Sequence, residues 1–226
     1  MEEKQEQINK MLSIIMESSH QMPDCVFDYY CRHKKDSFEK IFYNLVADSF
    51  LTLFSYCKLV FENAWSQAFA LLRVGIEQIS AAYVLSTNKA ALHEYIKLYK
   101  LKIEYINLET QAEQEKFLSD RSIQKNKIHS FFDYGWISNF TDNRQYGRNE
   151  IIKLAGLGEF IVDIDETLNA FAHGSISVFQ MNKDNWNLMR RYVNRSSLIC
   201  CKLYDFLCCA YAKLIGSEEF LKLPLN

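Results

Sequence analysis

A chain of 226 residues with 7 glycines and 2 prolines has few places to turn. Average usage of the two residues, roughly 12% together, would supply about 27 of them at this length. Strand-rich folds need turn residues at short intervals to reverse each hairpin, whereas long helices do not. The scarcity therefore predicts an all-α fold and argues against sandwich, barrel and Rossmann architectures. A chain this long closes a full hydrophobic core without disulfides or a structural metal. No repeat, low-complexity tract or linker divides it, so we read residues 1–226 as a single-domain helical bundle of about six to eight helices with one long aromatic-rich loop.

The 26 basic and 28 acidic residues leave a formal charge of −2, so no global field draws in nucleic acid or an anionic membrane. The opening MEEKQEQINK lacks the basic start and apolar stretch of a signal peptide, which predicts a cytoplasmic location. The seven cysteines are an odd number and read as reduced thiols. Cys200, Cys201, Cys208 and Cys209 form two adjacent pairs on a helix. Helical neighbours point about 100° apart and no CxxC spacing occurs, so these are expected to be small buried hydrophobes; no metal or cofactor is implied. Residues 41–61 and 64–85 approach the length of a membrane span. The first carries Asn44, Asp48 and Lys58, and the second Gln67, Arg73, Glu77 and Gln78, all costly in lipid. Both are expected to be central helices of a soluble bundle.

Along the chain, Ile8, Met11, Leu12, Ile15 and Met16 recur at three and four, predicting an N-terminal amphipathic helix within residues 1–22 that ends around Met22, Pro23 and Asp24. A short helical piece follows over 24–33. Long core helices are expected over 36–127. The first is capped by Asp36, with Glu39 at capping-box distance, and runs to Glu62, with Asn63 as a break or a bend. The second, over 64–85, is apolar nearly all round and so enclosed by others. The third is a single long helix over 89–127. Residues 128–147 lose the helical period and concentrate Phe131, Phe132, Tyr134, Trp136, Phe140 and Tyr146, which predicts a packed lid or a functional segment. Helices over 149–155 and 158–173, with Gly156 and Gly174 as stops, an extended stretch over 175–181 and a last helix from Asp184 to Ile215 complete the C-terminal part, 149–216.

Two polar stripes interrupt this apolar pattern. With Arg73 at zero, Glu62, Ser66, Glu77 and Ser80 all fall within about 40° on a helical wheel. A charged pair on an enclosed helix must be satisfied, since a lone buried charge costs several kcal/mol. Arg73 and Glu77 therefore either pair along their own helix or line a cleft in which Arg73 meets an anionic ligand and Glu77 orients it. Gly75 lies between them, at a position where another helix or a ligand is expected to come close. On the helix before Gly174, Glu159, Glu166 and Asn169 share a face with His173, also within about 40°. A histidine backed by carboxylates suits a general base, or else bonds a carbonyl or Glu77. The last helix adds Lys183, Arg190, Arg191, Arg195, Lys202 and Lys213 against Asp184 and Asp205. Arg191 and Arg195, one turn apart, have the spacing to grip phosphates, or else form a solvated face. No phosphate loop, GxSxG elbow, HExxH or dinucleotide fingerprint occurs in the sequence.

The segment LLRVGIEQISAAYVL (71–85) with its Arg-x-x-x-Glu, NAFAHGS (169–175) with its His-Gly, and YGW (134–136) resemble uncharacterised bacterial all-helical domains akin to the HEPN superfamily, over residues 40–215. The resemblance implies a helical bundle, often a homodimer. Many such domains are metal-independent ribonucleases of toxin–antitoxin and phage-defence systems, with an active Arg separated from a following His by four to six residues. Here Arg121 and His129 have seven residues between them, and Glu166, Thr167 and Leu168 stand where an Arg would precede His173. An Arg73 reaching His173 from another helix would restore the pair, His173 taking the 2′-hydroxyl proton and Arg73 balancing phosphate charge.

Two function classes follow. The favoured one is a non-catalytic binding or interaction domain with a polar cleft around Arg73, Glu77 and His173, flanked by Ser66, Ser80, Glu166, Asn169, Arg191 and Arg195, for a small anionic ligand or a protein partner. The alternative is a HEPN-like ribonuclease or toxin acting through Arg73, Glu77 and His173. RNA binding would weaken steeply with salt, and a buried ligand site would not.

Overall fold

Apolar residues spaced at three and four dominate the chain, and the computed structural model, which describes residues 2–33, 39–172 and 186–216, is helical throughout with no strand among them. The helices are α1 (Glu2–Arg32), α2 (Glu39–Phe61), α3 (Trp65–Thr87), α4 (Lys89–Ile106), α5 (Gln111–Asp120), α6 (Ile128–Tyr134), α7 (Arg148–Leu154), α8 (Gly158–Ile161), α9 (Asp165–Ala172) and α10 (Trp186–Ile215). These ten α-helices among the described residues exceed the six to eight expected. The surplus comes from short helices in segments read as one helix or as loop.

Helix α3 is the hub. It packs on α2, α10, α9, α7 and α4, while α1 lies across α2 and α10. Its buried residues include Ala68, Phe69, Leu72, Gly75, Ile76 and Ile79, as an all-round apolar helix requires. At Gly75 a Cβ would lie 3.2 Å from Thr52 Cγ2, so the glycine marks the close approach of α2 to α3. By length and composition alone, Lys40–Phe61 and Trp65–Thr87 would cross a membrane. In this fold both face the common core, α3 the more enclosed, with 56% of its apolar window buried against 39% for α2. Cys57, Cys200, Cys201 and Cys208 are core residues and Cys209 is half-buried. Burial pushes the Cys201 thiol up to about 11, a group that packs rather than reacts.

Four boundaries differ from expectation. The N-terminal helix does not stop at Met22; it continues through Pro23 to Arg32. Proline removes the donor for the Ser19 carbonyl, but Met22 and Val26 bury on either side of it, which keeps the chain helical. The helix expected over 89–127 breaks at Asn107, and Thr110 and Glu113 form a reciprocal capping box that starts α5. Residues 128–147 hold α6 and 3-10 turns at Gly135–Phe140 and Asp142–Arg144. Their aromatics pack inward, with Trp136 and Ile137 fully buried. The helix expected over 158–173 is interrupted after Ile161, so Glu159 and Asn169 sit on different helices, α8 and α9. Gly156, at φ 76°, ends α7 as expected, with the Leu157 N–H closing on the Ile152 carbonyl at 3.0 Å. The Asp36 cap, Gly174, the 175–181 stretch and the start at Asp184 lie outside the described residues.

A second, smaller cluster of Phe117, Leu118 and Phe132 forms where α5 and α6 fold against α4. The Tyr105 ring touches both Phe117 and Phe132, at 5.7 and 5.5 Å between centroids.

Replacing Pro23 with alanine restores the missing donor without removing a buried contact. We expect Pro23→Ala to raise the unfolding free energy by about 2 kcal/mol, read from urea denaturation.

Candidate functional site

The two charges that α3 carries leave it sideways to meet groups on other elements. Arg73 Nε donates to Asn169 Oδ1 on α9 at 2.6 Å. Glu77 Oε1 accepts from the Tyr134 hydroxyl at the end of α6, also at 2.6 Å. Arg148, the first residue of α7, donates from Nη2 to Asp165 Oδ1 at 2.8 Å and from Nη1 to Oδ2 at 3.2 Å, a fork on one carboxylate. Its Nε lies 3.9 Å from Glu77 Oε2. Asn169 Nδ2 closes the chain onto Asp165 Oδ2 at 3.3 Å, one turn back on α9. Hydrogen bonds join Arg73, Asn169, Asp165 and Arg148 across α3, α9 and α7, and Glu77 to Tyr134 on α6; between the two parts Arg148 Nε, buried with no hydrogen-bond partner among the described residues, meets Glu77 only as a charge at 3.9 Å. The pairing along one helix that the Arg73/Glu77 spacing allows gives way to partners on its neighbours.

The network is sheltered: the Arg148 side chain is 10% exposed, Asp165 25% and Glu77 28%. Such charges cost several kcal/mol to desolvate and persist only when matched, as the two guanidiniums and two carboxylates are here. The Tyr134 phenol is driven well above its ordinary range, by burial first and then by the Glu77 carboxylate that accepts its hydrogen bond.

The structure joins Arg73, Glu77 and Asn169 and separates the rest. Glu62 is not on α3, because Asn63 at φ 59° breaks the chain after α2; Glu62 is exposed and pairs with Lys58 at 4.0 Å. Ser66 is half-buried two turns before Arg73, and Ser80 is fully buried in the core with no partner for its hydroxyl among the described residues. A helical wheel gives direction but not depth, and different neighbours cover α3 at each end. Glu166, next to Asp165 in sequence, is exposed. Arg195 is not available to phosphate: it forks onto Asp163 at 2.8 and 3.1 Å and donates to the Phe160 carbonyl at 2.6 Å, while Arg191 stands exposed one turn earlier. His173 lies outside the described residues. Sequence reasoning missed Arg148 and Asp165. Asp165 carried a signal, since it stands four residues before Asn169 on one helical face. Arg148 carried none.

On the far side of Glu77 a cavity of about 230 Å³ opens between α3, α4 and α6. Tyr95, Tyr99 and Tyr134 line it beside Glu77 and Gln78, and Lys102 and Asp133 form an ion pair of 2.7 Å in its wall. Trp136, fully buried, closes it behind Tyr95, the two rings standing at 85° with 5.7 Å between centroids. Burial, then the neighbouring Tyr99 and Asp133, pushes the Tyr95 phenol up to about 12.

Compared with protein-family models, curated proteins and solved structures, the chain matches none.

Removing Arg148 would leave two sheltered carboxylates without their cation. Arg148→Ala is expected to cost about 3 kcal/mol in chemical denaturation, and Arg148→Lys to recover only part of it, since an ammonium cannot fork onto Asp165. Alkali gives a separate test. Phenols whose folded values lie above the usual 10.0 stabilise the fold fully below that pH and lose their contribution as pH rises through the folded values, about 12 for Tyr95. Stability should therefore fall above about pH 10, and Tyr134→Phe should flatten that decline.

Proposed function

We propose that this chain is a non-catalytic helical binding domain whose ligand occupies the cavity between Glu77 and the tyrosines of α4 and α6. The observation that carries this reading is the recess itself, lined by Glu77, Gln78 and three tyrosines, with both guanidiniums beside it engaged on α9. Arg73 and Arg148 are committed to Asn169 and Asp165, and guanidinium cannot serve as a base. Tyr134 holds its proton against Glu77 and so makes a poor nucleophile. The recess beside them is small, with apolar walls and a few polar groups, the composition of a recognition site. Its volume lies below the roughly 300–1,000 Å³ of drug-sized sites, so the ligand is small.

Ala81 lines the same cavity, and Ala81→Leu would fill part of it. NMR spectra of the full chain mixed with a deproteinised extract of small metabolites should show shifts at Tyr95, Tyr99 and Trp136 that Ala81→Leu abolishes. Spectra without such shifts, or with shifts that survive in Ala81→Leu, would overturn the reading.

The ribonuclease alternative draws on one observation, that Arg73 reaches α9 at Asn169, four positions before His173. Incubation with total RNA separates the two. A binding domain leaves the RNA intact, whereas a nuclease cuts it and loses that activity in Arg73→Ala and His173→Ala.

A further inference from the structure

Within the reading just proposed, the cavity's own chemistry selects among ligands. Its lining carries two carboxylates, Glu77 and Asp133, against one ammonium, Lys102. Lys102 is spent on Asp133 at 2.7 Å. The guanidinium nearest Glu77, that of Arg148, puts both terminal nitrogens on Asp165 and keeps only Nε, at 3.9 Å, toward Glu77. A carboxylate has about four acceptor sites on its two oxygens. Among the described residues, Glu77 accepts one hydrogen bond, from Tyr134. Acceptor capacity is therefore left on a carboxylate that faces a recess walled by three half-buried phenol rings.

Aromatic faces carry negative quadrupole charge and attract cations, most strongly where water is displaced. An anion would meet Glu77 and the ring faces with no uncommitted cation in the lining to offset them. A neutral ligand would gain the apolar contact alone. We propose that the cavity bounded by Glu77, Tyr95, Tyr99 and Tyr134 binds a small organic cation, an alkylammonium or quaternary ammonium group, its charge against Glu77 and its methyl or methylene groups against the phenol rings.

The test compares choline with 3,3-dimethylbutan-1-ol, its uncharged isostere, and with propionate, each titrated into the full chain by NMR at the Tyr95, Tyr99 and Trp136 signals. Choline should bind about tenfold more tightly than the neutral isostere, and propionate should not saturate. Glu77→Gln keeps the side-chain shape and an acceptor for Tyr134, and should weaken choline about tenfold while leaving the isostere unchanged. Tyr99→Leu should weaken choline with no loss of fold, and Glu159→Gln, which removes a charge from an exposed site on α8, should change nothing. Equal binding of choline and the isostere overturns the cation proposal but keeps the cavity as a ligand site. Preferential binding of propionate overturns the proposal in favour of an anion. No saturable binding by any probe, with no cavity signals shifted by the metabolite extract, overturns both readings together.

Discussion

The fork from Arg148 onto Asp165, with Glu77 beside it, is what allows a helix bearing charge to run through the middle of this protein. A helix buried on nearly every side has to discharge its polar groups or fail to pack, and α3 does so through partners donated by α6, α7 and α9. Those elements are short, and none has the length to be a stable helix alone. Their positions are fixed from both directions, by apolar residues such as Ile151, Ile152, Leu168 and Phe171 in the core and by the polar chain at its edge. Hydrophobic burial supplies most of the stability, and the ion pairs match the charges that the packing of the short helices brings together.

The same arrangement separates two kinds of polar chemistry that look alike in the sequence. One is internal: Arg73, Asn169, Asp165 and Arg148 are joined by hydrogen bonds to one another. The other is open, because Glu77 belongs to the network through one oxygen and to the tyrosine-lined cavity through its remaining capacity. A single carboxylate at the boundary thus couples the bundle's internal polar frame to its ligand-sized space, and it is held there by the Tyr134 hydroxyl.

Much of the architecture was legible in the sequence. The shortage of turn residues pointed to helices, the unbroken apolar pattern of 64–85 pointed to an enclosed helix, and Gly75 pointed to a close helical approach. Segmentation was less legible, because burial of Met22 and Val26 overrode Pro23, while the Thr110 and Glu113 cap was present in the sequence and was passed over. At the site, spacing identified Arg73, Glu77 and Asn169, since each shows as a polar break in an apolar face. Wheel angles could not tell that Ser80 would be sealed in the core or that Arg195 would be taken by Asp163, because depth depends on neighbours far away in sequence. Arg148 follows a glycine at the start of a short helix and has no pattern to betray it; only the fold brings it to Asp165.

The small cluster of Phe117, Leu118 and Phe132 bears on how the cavity exchanges with solvent. Helix α6 contributes Phe132, Asp133 and Tyr134 to the cavity wall, and Phe132 is at the same time one of only three buried residues anchoring that cluster. A unit with so little apolar surface to expose opens at a smaller free-energy cost than the main core. This outer unit is therefore expected to open before α1, α2, α3 and α10 come apart. Amide protection in α5 and α6 would then fall below that of α3.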